Sequence, residues 1–245
     1  MTGICHLSSI ALRKEPAHRS EMVSQLIYGE KYELLETVDS DWIKVQCELD
    51  QYIGFMPKAQ FREFDYSNQS ILFIGGLALD EINNIIPKGA EIYLPETLVD
   101  VDEEDLLDVN HIHFTIDQIK ENIFYHSTSL INTTYLWGGR TPMGMDCSGF
   151  TQIVFKACGI YLPRDSGDQQ KLGESISLEE SSLGDLAFFT NNKGVINHVG
   201  IVFGQQMIIH CSGLVRVDQL NMSGIVNLDT KQRTHTLHSI RRILV

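Results

Sequence analysis

The chain contains 245 residues, and its 19 Lys and Arg side chains against 32 Asp and Glu give a formal net charge of −13. Hydrophobic residues account for 43% of the composition and charged residues for 21%, which is typical of globular rather than disordered proteins. The acidic balance argues against nucleic acid or an anionic membrane as a partner, because both require patches of Lys and Arg. The length allows one large domain or two to three smaller ones.

The charge is distributed unevenly along the chain. Residues 1–130 contain 9 basic and 23 acidic side chains, whereas residues 131–245 contain 10 basic and 9 acidic ones. This asymmetry predicts that the two parts form different domains.

The N-terminal segment MTGICHLSSIALRKEPAHRSE lacks the basic stretch, apolar run and small-residue cleavage site of a secretory signal. We therefore expect a cytoplasmic protein, or an exported one whose signal has been removed. The sequence has no run of about 18 apolar residues, so we expect no membrane-spanning helix.

Five cysteines are scattered through the chain without CxxC pairs: Cys5, Cys47, Cys147, Cys158 and Cys211. Their odd number and spacing argue against a disulfide framework and against a zinc ribbon. We expect most of them to be buried free thiols.

The first 64 residues predict a small all-β domain. Segments rich in β-branched and aromatic residues (Tyr32–Val38, Trp42–Cys47 and Tyr52–Met56) alternate with the turn sequences DSD and LDQ. The pattern GEKYELLETVDSDWIKVQ followed by QYIGFMPKAQF resembles a bacterial SH3 domain, with Phe55 at the place of a usual Trp.

Residues 65–112 also predict short strands and are interpreted as a second, diverged SH3-like domain. The acidic run within them fails as a calcium loop. With Asp100, Asp102 and Glu104 as the first three ligands, Asp105 stands where an EF-hand requires Gly, and His111 where it requires Glu. A solvated acidic surface is the better interpretation.

The last predicted domain, residues 113–245, opens with a helix over Thr115 to Ile131. Its apolar residues Ile116, Ile119, Ile123 and Leu130 fall near helical spacing, and Thr115 is suited to the N-cap position.

The segment YLWGGRTPMGMDCSGFTQIVFKACGIYLPRDSGDQQ contains the chemically informative residues. Apolar residues recur at helical spacing from Phe150 to Cys158, and Gly159 predicts the end of the helix. Cys147 would therefore lie in the first turn of a buried helix. Helix N-termini carry partial positive charge and unpaired N–H groups, so this position would favour a thiolate and could hold an oxyanion.

A thiolate nucleophile requires a base, and the segment INHVGIVFGQQMIIHCSGLVRV supplies two histidines on a predicted β-hairpin. If residues 204–206 form the loop, His198 faces Ser212 and His210 faces Gly200, which puts both imidazoles on one face. A two-residue loop would instead put them on opposite faces. In the first register His198 could act as general base, and His210 could orient it.

DCSGF on a helix, then HVGIVFG, then IIHCSG resembles the NlpC-type family of papain-like cell-wall peptidases. This resemblance implies a catalytic triad of Cys147, His198 and His210. It also implies an α+β fold in which a papain-like catalytic domain, with the Cys helix on an antiparallel sheet, follows one or two small SH3-like barrels.

The motif YLWGGxxPxGxDCSG followed by PRDS, after N-terminal SH3 domains, is similar to the dipeptidyl-peptidase VI branch of this family, the γ-D-glutamyl-L-diamino acid endopeptidases. The resemblance implies substrate contacts by Tyr135, Asp146, Ser148 and Ser166. Asp146 would face the substrate's α-ammonium group, and the two serines would bind its free α-carboxylate. An acidic residue and a tyrosine from the SH3 domain complete the amine pocket in this branch, and Glu21 and Tyr52 match best, with Glu15 close by.

The implied reaction cuts the bond between γ-D-Glu and the diamino acid of murein peptides that have a free N-terminal L-Ala. It releases L-Ala-D-Glu through a thioester on Cys147 and requires neither metal nor organic cofactor. The Cys147 N–H would hold the oxyanion, with Tyr135 as a candidate second donor. Such an enzyme fits the recycling of wall peptides in the bacterial cytoplasm.

Three alternatives stay open. The chain could be an inactive module that binds peptidoglycan, or a papain-like amidase or acyltransferase with another substrate. Cys147, His198, His210 and Cys211 could also form a zinc site, although neither CxxC nor HExxH spacing is present.

Overall fold

The structure is a computed structural model that describes residues 1–64, 70–80, 84–93, 98–99, 101–108, 114–204 and 206–244. It divides into two compact units: Met1–His113 with Trp137–Pro142, and Phe114–Leu136 with Met143–Val245. Within the described ranges, no helix is both long enough and apolar enough to cross a membrane.

The first unit begins with a six-stranded antiparallel sheet in the order β1-β4-β5-β6-β2-β3. Its strands are β1 (Thr2–Ile4), β2 (Ser9–Arg13), β3 (Met22–Ile27), β4 (Lys31–Thr37), β5 (Trp42–Cys47) and β6 (Ile53–Pro57). Their inward-facing residues form one apolar core that includes Ile10, Leu12, Leu26, Tyr32 and Val45.

The strands β4, β5 and β6 confirm the three strands predicted here from the sequence, each within one residue at its ends. The turn between β4 and β5 forms because Oδ1 of Asp39 accepts the backbone N–H groups of Asp41 and Trp42, both at 2.8 Å. A short polar side chain that bonds two residues onward is typical of such turns.

Further along the first unit, six short strands form two three-stranded sheets in the orders β10-β7-β12 and β11-β8-β9. Their bounds are β7 (Ser70–Phe73), β8 (Leu77–Asp80), β9 (Ile85–Pro87), β10 (Glu91–Tyr93), β11 (Leu98–Val99) and β12 (Leu106–Leu107). The interpretation of residues 65–112 as a second SH3-like domain stays a prediction. Asp100 and His111, which entered the calcium test, lie outside the described residues.

The segment Trp137–Pro142, which contains β13 (Arg140–Thr141), is part of the first unit although its flanks belong to the second. Gly138 has φ of +77°, and a Cβ placed on it would lie 2.5 Å from the backbone oxygen of Met22. Only glycine tolerates both the positive φ and this approach, so the second residue of the WGG sequence is fixed by the backbone path.

The second unit opens with α1 (Ile116–Thr128). Thr115 is its N-cap, as predicted: Thr115 Oγ1 accepts the Gln118 N–H at 3.3 Å, and Gln118 Oε1 accepts the Thr115 N–H at 2.9 Å. This reciprocal pair is a capping box, and it satisfies two backbone donors that the helix leaves open. The helix ends three residues before the predicted Ile131.

A seven-stranded antiparallel sheet follows, in the order β15-β21-β16-β17-β18-β19-β20, and β20 also pairs with β21. That last pairing closes six of the strands into a ring, with β15 outside it. The bounds are β14 (Gly144–Met145, separate from the sheet), β15 (Glu174–Ile176), β16 (Leu186–Thr190), β17 (Ile196–Gly204), β18 (Met207–Ser212), β19 (Leu214–Asn221), β20 (Gly224–Val226) and β21 (Arg233–Arg242).

Two helices pack against β17, namely α2 (Cys147–Lys156) and the four-residue α3 (Ser166–Gln169). Gln169 joins them, because its Oε1 accepts the Thr151 hydroxyl at 2.8 Å and its Nε2 donates to the Ser148 backbone oxygen at 3.1 Å. The start of α2 is therefore held in place by buried hydrogen bonds as well as by apolar packing.

Candidate active site

Cys147 is the first residue of α2, as the sequence predicts. Asp146 caps the helix, because its Oδ1 accepts the Gly149 N–H at 2.7 Å. Residues from Cys147 to Lys156 are all buried, and Gly159 follows the helix with φ of +75°, the left-handed conformation that ends helices.

The expectation of a thiolate at this helix start is wrong for the free site. Burial and the neighbouring Asp146 carboxylate raise the pKa of the Cys147 thiol to about 12, against smaller lowering effects from a Val199 backbone hydrogen bond and from Arg164. Desolvation outweighs the helix terminus because it disfavours the charged form directly. The thiol is therefore neutral until a base removes its proton. The helix that begins at Cys147 packs against β17, the strand that carries His198.

The hairpin of β17 and β18 has the register that was predicted for the histidines: Gly200 is opposite His210, and Ile201 is opposite Ile209. The register shifts between Val202 and Gly204, and Gly204 pairs with Met207. This irregularity at the end of the hairpin keeps the side chains of His198 and His210 on one face of the sheet. A two-residue loop with regular pairing throughout would have put them on opposite faces.

His198 and His210 are in direct contact. Nε2 of His198 lies 2.9 Å from Nδ1 of His210, and the two side chains are 5% and 1% exposed. This bond occupies Nε2 of His198, so Nδ1 is the ring nitrogen that could take a proton from a thiol. On its other side, His210 Nε2 lies 3.1 Å from Oδ2 of Asp218.

A third histidine, which the sequence analysis missed, completes the cluster. The ring of His235, on β21, stacks on that of His198 with centroids 4.1 Å apart and planes inclined by 23°. Burial, followed by the proximity of the His210 imidazole, lowers the pKa of His235 to about 4. Burial lowers the pKa of His198 well below its usual value, and His210 and His235 lower it further. Both rings are thus neutral bases near pH 7.

The three imidazoles are the described residues that could hold a metal ion, because their ring nitrogens lie within 4.8 Å of one another. Imidazole binds metals through a lone pair in the ring plane. In the structure, Nε2 of His198 and Nδ1 of His210 are bonded to each other, and Nε2 of His210 is bonded to Asp218, so these three nitrogens are engaged in hydrogen bonds. Within the described residues this group contains neither Cys147 nor Cys211, so the alternative four-ligand zinc site is not assembled.

Asp146 and Ser148 are bound to a buried arginine, which the sequence analysis quoted in PRDS without assigning. Nη1 of Arg164 donates to Asp146 Oδ1 at 3.0 Å and to Ser148 Oγ at 2.9 Å, while Nη2 pairs with Asp146 Oδ2. The Asp146 carboxylate was expected to face an ammonium group, and in the structure it caps a helix and neutralises Arg164.

Tyr135 lies close enough to Cys147 and Asp146 for both residues to affect the pKa of its hydroxyl. Burial raises the pKa of its hydroxyl, and Cys147 and Asp146 raise it further. Its backbone N–H donates to the Gly213 oxygen at 2.9 Å, which ties this residue to the turn after β18. The phenol therefore stays protonated and can donate a hydrogen bond near the thiol.

Ser166 is the half-buried first residue of α3, two residues after Arg164. Because Gln169 fixes α3 to the first turn of α2, Ser166 and Ser148 belong to one rigid part of the second unit. Four of the predicted substrate residues, namely Tyr135, Asp146, Ser148 and Ser166, are thus in the same unit as the catalytic candidates.

Glu21 and Tyr52 lie in the first unit. Oε1 of Glu21 accepts the indole N–H of Trp137 at 2.8 Å, and Oε2 lies 3.4 Å from Nζ of Lys14. The ring of Tyr52 is half-buried against the core of the six-stranded sheet. Their assignment to an amine pocket stays a prediction.

Comparison with known proteins shows that two segments of the chain match known families. Residues 132–236 match the NlpC/P60 family, and residues 12–61 match the bacterial dipeptidyl-peptidase SH3 domain. The first match contains Cys147, His198 and His210, and the second contains Glu21 and Tyr52.

Two curated relatives illustrate the range of similarity. The γ-D-glutamyl-L-lysine dipeptidyl-peptidase of Bacillus subtilis is 42% identical over 37% of this chain and 31% of its own length. Dipeptidyl-peptidase 6 of Lysinibacillus sphaericus is 24% identical over 82% of this chain and 84% of its own length. The chain thus matches about a third of the length of the Bacillus subtilis relative.

A solved structure of an NlpC/P60 family protein from Bacillus cereus superposes with a TM-score of 0.81 and covers both chains completely at 20% identity. At this identity the likeness concerns the fold. Together with the two family patterns, it shows that the chain carries a papain-like NlpC/P60 domain and, before it in the sequence, a bacterial dipeptidyl-peptidase SH3 domain.

Proposed function

We propose that the protein is a cysteine peptidase that cleaves the bond between γ-D-Glu and the diamino acid in murein peptides with a free N-terminal L-Ala. The observation that carries this proposal is the buried hydrogen bond between His198 and His210, in the strand hairpin against which the helix of Cys147 packs. A nucleophile, a base and a residue that orients the base are the parts that acyl transfer requires.

In the first step, the thiol of Cys147 attacks the γ-carbonyl carbon of D-Glu while Nδ1 of His198 takes the thiol proton. Both groups are neutral in the free site, because burial raises the pKa of Cys147 and lowers that of His198, so the thiol proton has to pass to His198 for the attack to form the thioester. The backbone N–H of Cys147, at the start of α2, and the phenol of Tyr135 are the donors for the oxyanion.

The protonated imidazole then donates its proton to the amine of the diamino acid, which leaves as the thioester forms. Water, deprotonated by His198, attacks the thioester carbonyl carbon, the C–S bond breaks with release of L-Ala-D-Glu, and the imidazolium returns its proton to the Cys147 sulfur. All bonds are made and broken by groups of the chain and water, so the cycle ends with neutral thiol and imidazole.

The names of the relatives support the substrate class, because the Bacillus subtilis relative is named γ-D-glutamyl-L-lysine dipeptidyl-peptidase and the Lysinibacillus sphaericus relative is named dipeptidyl-peptidase 6. For the free α-carboxylate of D-Glu, we propose hydrogen bonds from the hydroxyl groups of Ser148 and Ser166.

The test compares L-Ala-γ-D-Glu-L-Lys, its N-acetylated form and the same peptide with meso-diaminopimelate in place of Lys. Products are identified by mass spectrometry, and Cys147→Ala serves as the inactive control. We expect the two free peptides to yield L-Ala-D-Glu, the acetylated peptide to be cut at least 100-fold more slowly, and the variant to be inactive.

Two results would contradict the proposal. Equal cleavage of the acetylated and free peptides would refute the requirement for a free amine, and absence of cleavage of every peptide would favour the peptidoglycan-binding alternative.

A further inference from the structure

The line of hydrogen bonds that begins at His198 continues past His210 to an acidic residue on the next strand. His210 is paired opposite Arg216 on β19, and Asp218 follows two residues later on the same face. His210 Nε2 and Asp218 Oδ2 are 3.1 Å apart, and each side chain is 1% exposed. The contact is therefore sealed from solvent, where a charged hydrogen bond is strongest.

The Asp218 carboxylate is ionised, because its surroundings supply donors to both oxygens. Oδ1 accepts the backbone N–H of Leu228 at 2.8 Å and Nη2 of Arg216 at 3.0 Å, while Nε of Arg216 lies 2.9 Å from Oδ2. Burial acts to raise the pKa of Asp218, but the bonds from His210, Leu228 and Arg216 together hold it below the usual value. The other titratable neighbours are Asp229, which pairs with Arg216, and His235 on β21.

An ionised carboxylate can only accept hydrogen bonds, so the proton in this contact lies on Nε2 of His210. A neutral His210 then has a lone pair on Nδ1, which must accept the Nε2–H of His198. That assignment leaves the lone pair of His198 on Nδ1, the nitrogen that serves as base. We infer that Asp218 is a positioning residue of the catalytic relay that fixes the tautomers of both His210 and His198.

This inference rests on the proposed function for its kinetic consequence, but the tautomers themselves are properties of the free protein. Asp218→Asn is the decisive substitution, because the fixed backbone N–H of Leu228 favours one orientation of the asparagine amide, whereas the Arg216 side chain, which is 23% exposed, can move its Nε away from the new NH2 group. Its oxygen would stay with the Leu228 N–H and Arg216 Nη2, so its NH2 group would face His210. An amide donor there requires an unprotonated Nε2 and moves the His210 proton to Nδ1.

The change of tautomer at His210 then changes the tautomer of His198. With its proton on Nδ1, His210 donates to Nε2 of His198, and His198 must carry its own proton on Nδ1, where it cannot act as a base. The bond to the Leu228 N–H is retained in the variant, so a purely structural role for Asp218 would leave the tautomers unchanged. Asp229→Asn is the matched control, because it removes a carboxylate that contacts Arg216 but not His210.

Three measurements are made on the full chain. The first is the NMR chemical shifts of the ring nitrogens in 15N-labelled histidine, with the His210 signals assigned by their loss in His210→Gln. The others are the rate of Cys147 alkylation by iodoacetamide and the steady-state kinetics of peptide cleavage. In Asp218→Asn we expect the His210 proton on Nδ1, and alkylation at pH 7 slowed about 10-fold.

We also expect kcat to fall about 10- to 100-fold, with KM within threefold. Loss of an orienting carboxylate that contacts the base directly costs about 10⁴-fold, and Asp218 acts on His198 only through His210, so its loss should cost less. Asp229→Asn should match the unaltered protein in all three.

An Asp218→Asn protein with His210 still protonated on Nε2, or with unchanged alkylation and kcat, would overturn the inference. If the unaltered protein cuts none of the peptides, the proposed function fails, while the nitrogen shifts and the alkylation rates still decide the role of Asp218.

Discussion

Arg140 and Glu30 form a two-point ion pair that is closed to water. Nη1 of Arg140 lies 2.8 Å from Oε2 of Glu30, Nη2 lies 3.0 Å from Oε1, and the side chains are 1% and 2% exposed. Nη1 also donates to the Gln25 backbone oxygen, and the Arg140 N–H donates to the Gln25 side chain. The segment Trp137–Pro142 is thus fixed to the first unit by a fully paired buried charge.

Removal of one partner should be much more damaging than removal of both. Arg140→Met or Glu30→Gln leaves the other charge buried without its counterpart, which typically costs about 3–5 kcal/mol, whereas neutralising both avoids that penalty. We expect the double variant to unfold in urea with a free energy at least about 2 kcal/mol above the additive value.

The exposed pair of Lys14 and Glu21 supplies the control, since Lys14→Met should change the free energy of unfolding by less than about 1 kcal/mol. Strict additivity of the two buried substitutions would show that the pair is not coupled.

Gly200→Ala should disturb His210 specifically. A Cβ on Gly200 would lie 2.8 Å from the Cβ of His210 and 2.8 Å from Cδ1 of Ile208, closer than real Cβ contacts allow. Because the Cβ of His210 moves only with its strand, we expect the bond to His198 to lengthen and kcat to fall at least about 10-fold, the equivalent of about 1.4 kcal/mol.

Gly76→Ala is the comparison for this substitution, because its Cβ would meet no atom within 4 Å. Activity in Gly200→Ala equal to that in Gly76→Ala would disprove the need for a glycine opposite His210.

The stack of His235 on His198 should restrain the ring plane of the base. Stacked aromatic pairs contribute about 1 kcal/mol beyond their burial. His235→Ala should therefore lower kcat about fivefold, while His235→Phe, which keeps an aromatic face, should lower it less than twofold. Steady-state kinetics on the free peptide measures both, and equal losses in the two variants would show that the stack has no such role.

The second unit should lose stability on acidification. The pKa values of His198 and His235 are lowered on folding, to about 4 for His235, so between pH 6.5 and 4 the unfolded chain binds more protons than the folded one. The free energy of unfolding must then decrease as the pH falls through this window. His235→Phe should be less sensitive, and urea unfolding at pH 7, 6 and 5 measures the difference. A constant difference between the two proteins across these pH values would contradict the assignment.

The relation of His198 to His210 was predictable because strand side chains alternate strictly and the hairpin is local. The same alternation, continued past the turn at Gly213, would have placed Asp218 beside His210, since Arg216 falls opposite His210. The segment HCSGLVRVDQ contains this alternation, so the position of Asp218 was predictable from the sequence.

His235 could not be found in this way. Its position depends on β21 pairing with both β16 and β20, which are separated from one another by more than thirty residues, and no local pattern encodes that closure. The prediction of a thiolate at Cys147 was wrong for a related reason. The helix start was readable from apolar spacing, but its effect on Cys147 depends on burial and on the Asp146 carboxylate, which only the packed structure reveals.

The chain returns to the first unit at Trp137–Pro142, which ends five residues before Cys147, and this course bears on how domains of such proteins can be exchanged. A single crossover between the units would transfer Arg140 without Glu30 and Gln25, and would leave its guanidinium without these partners seven residues before Cys147. Chimaeras with other SH3 domains should therefore require matched residues at positions 25, 30 and 140. A division of the sequence at residue 113 would separate position 140 from positions 25 and 30, so these three residues have to be exchanged together.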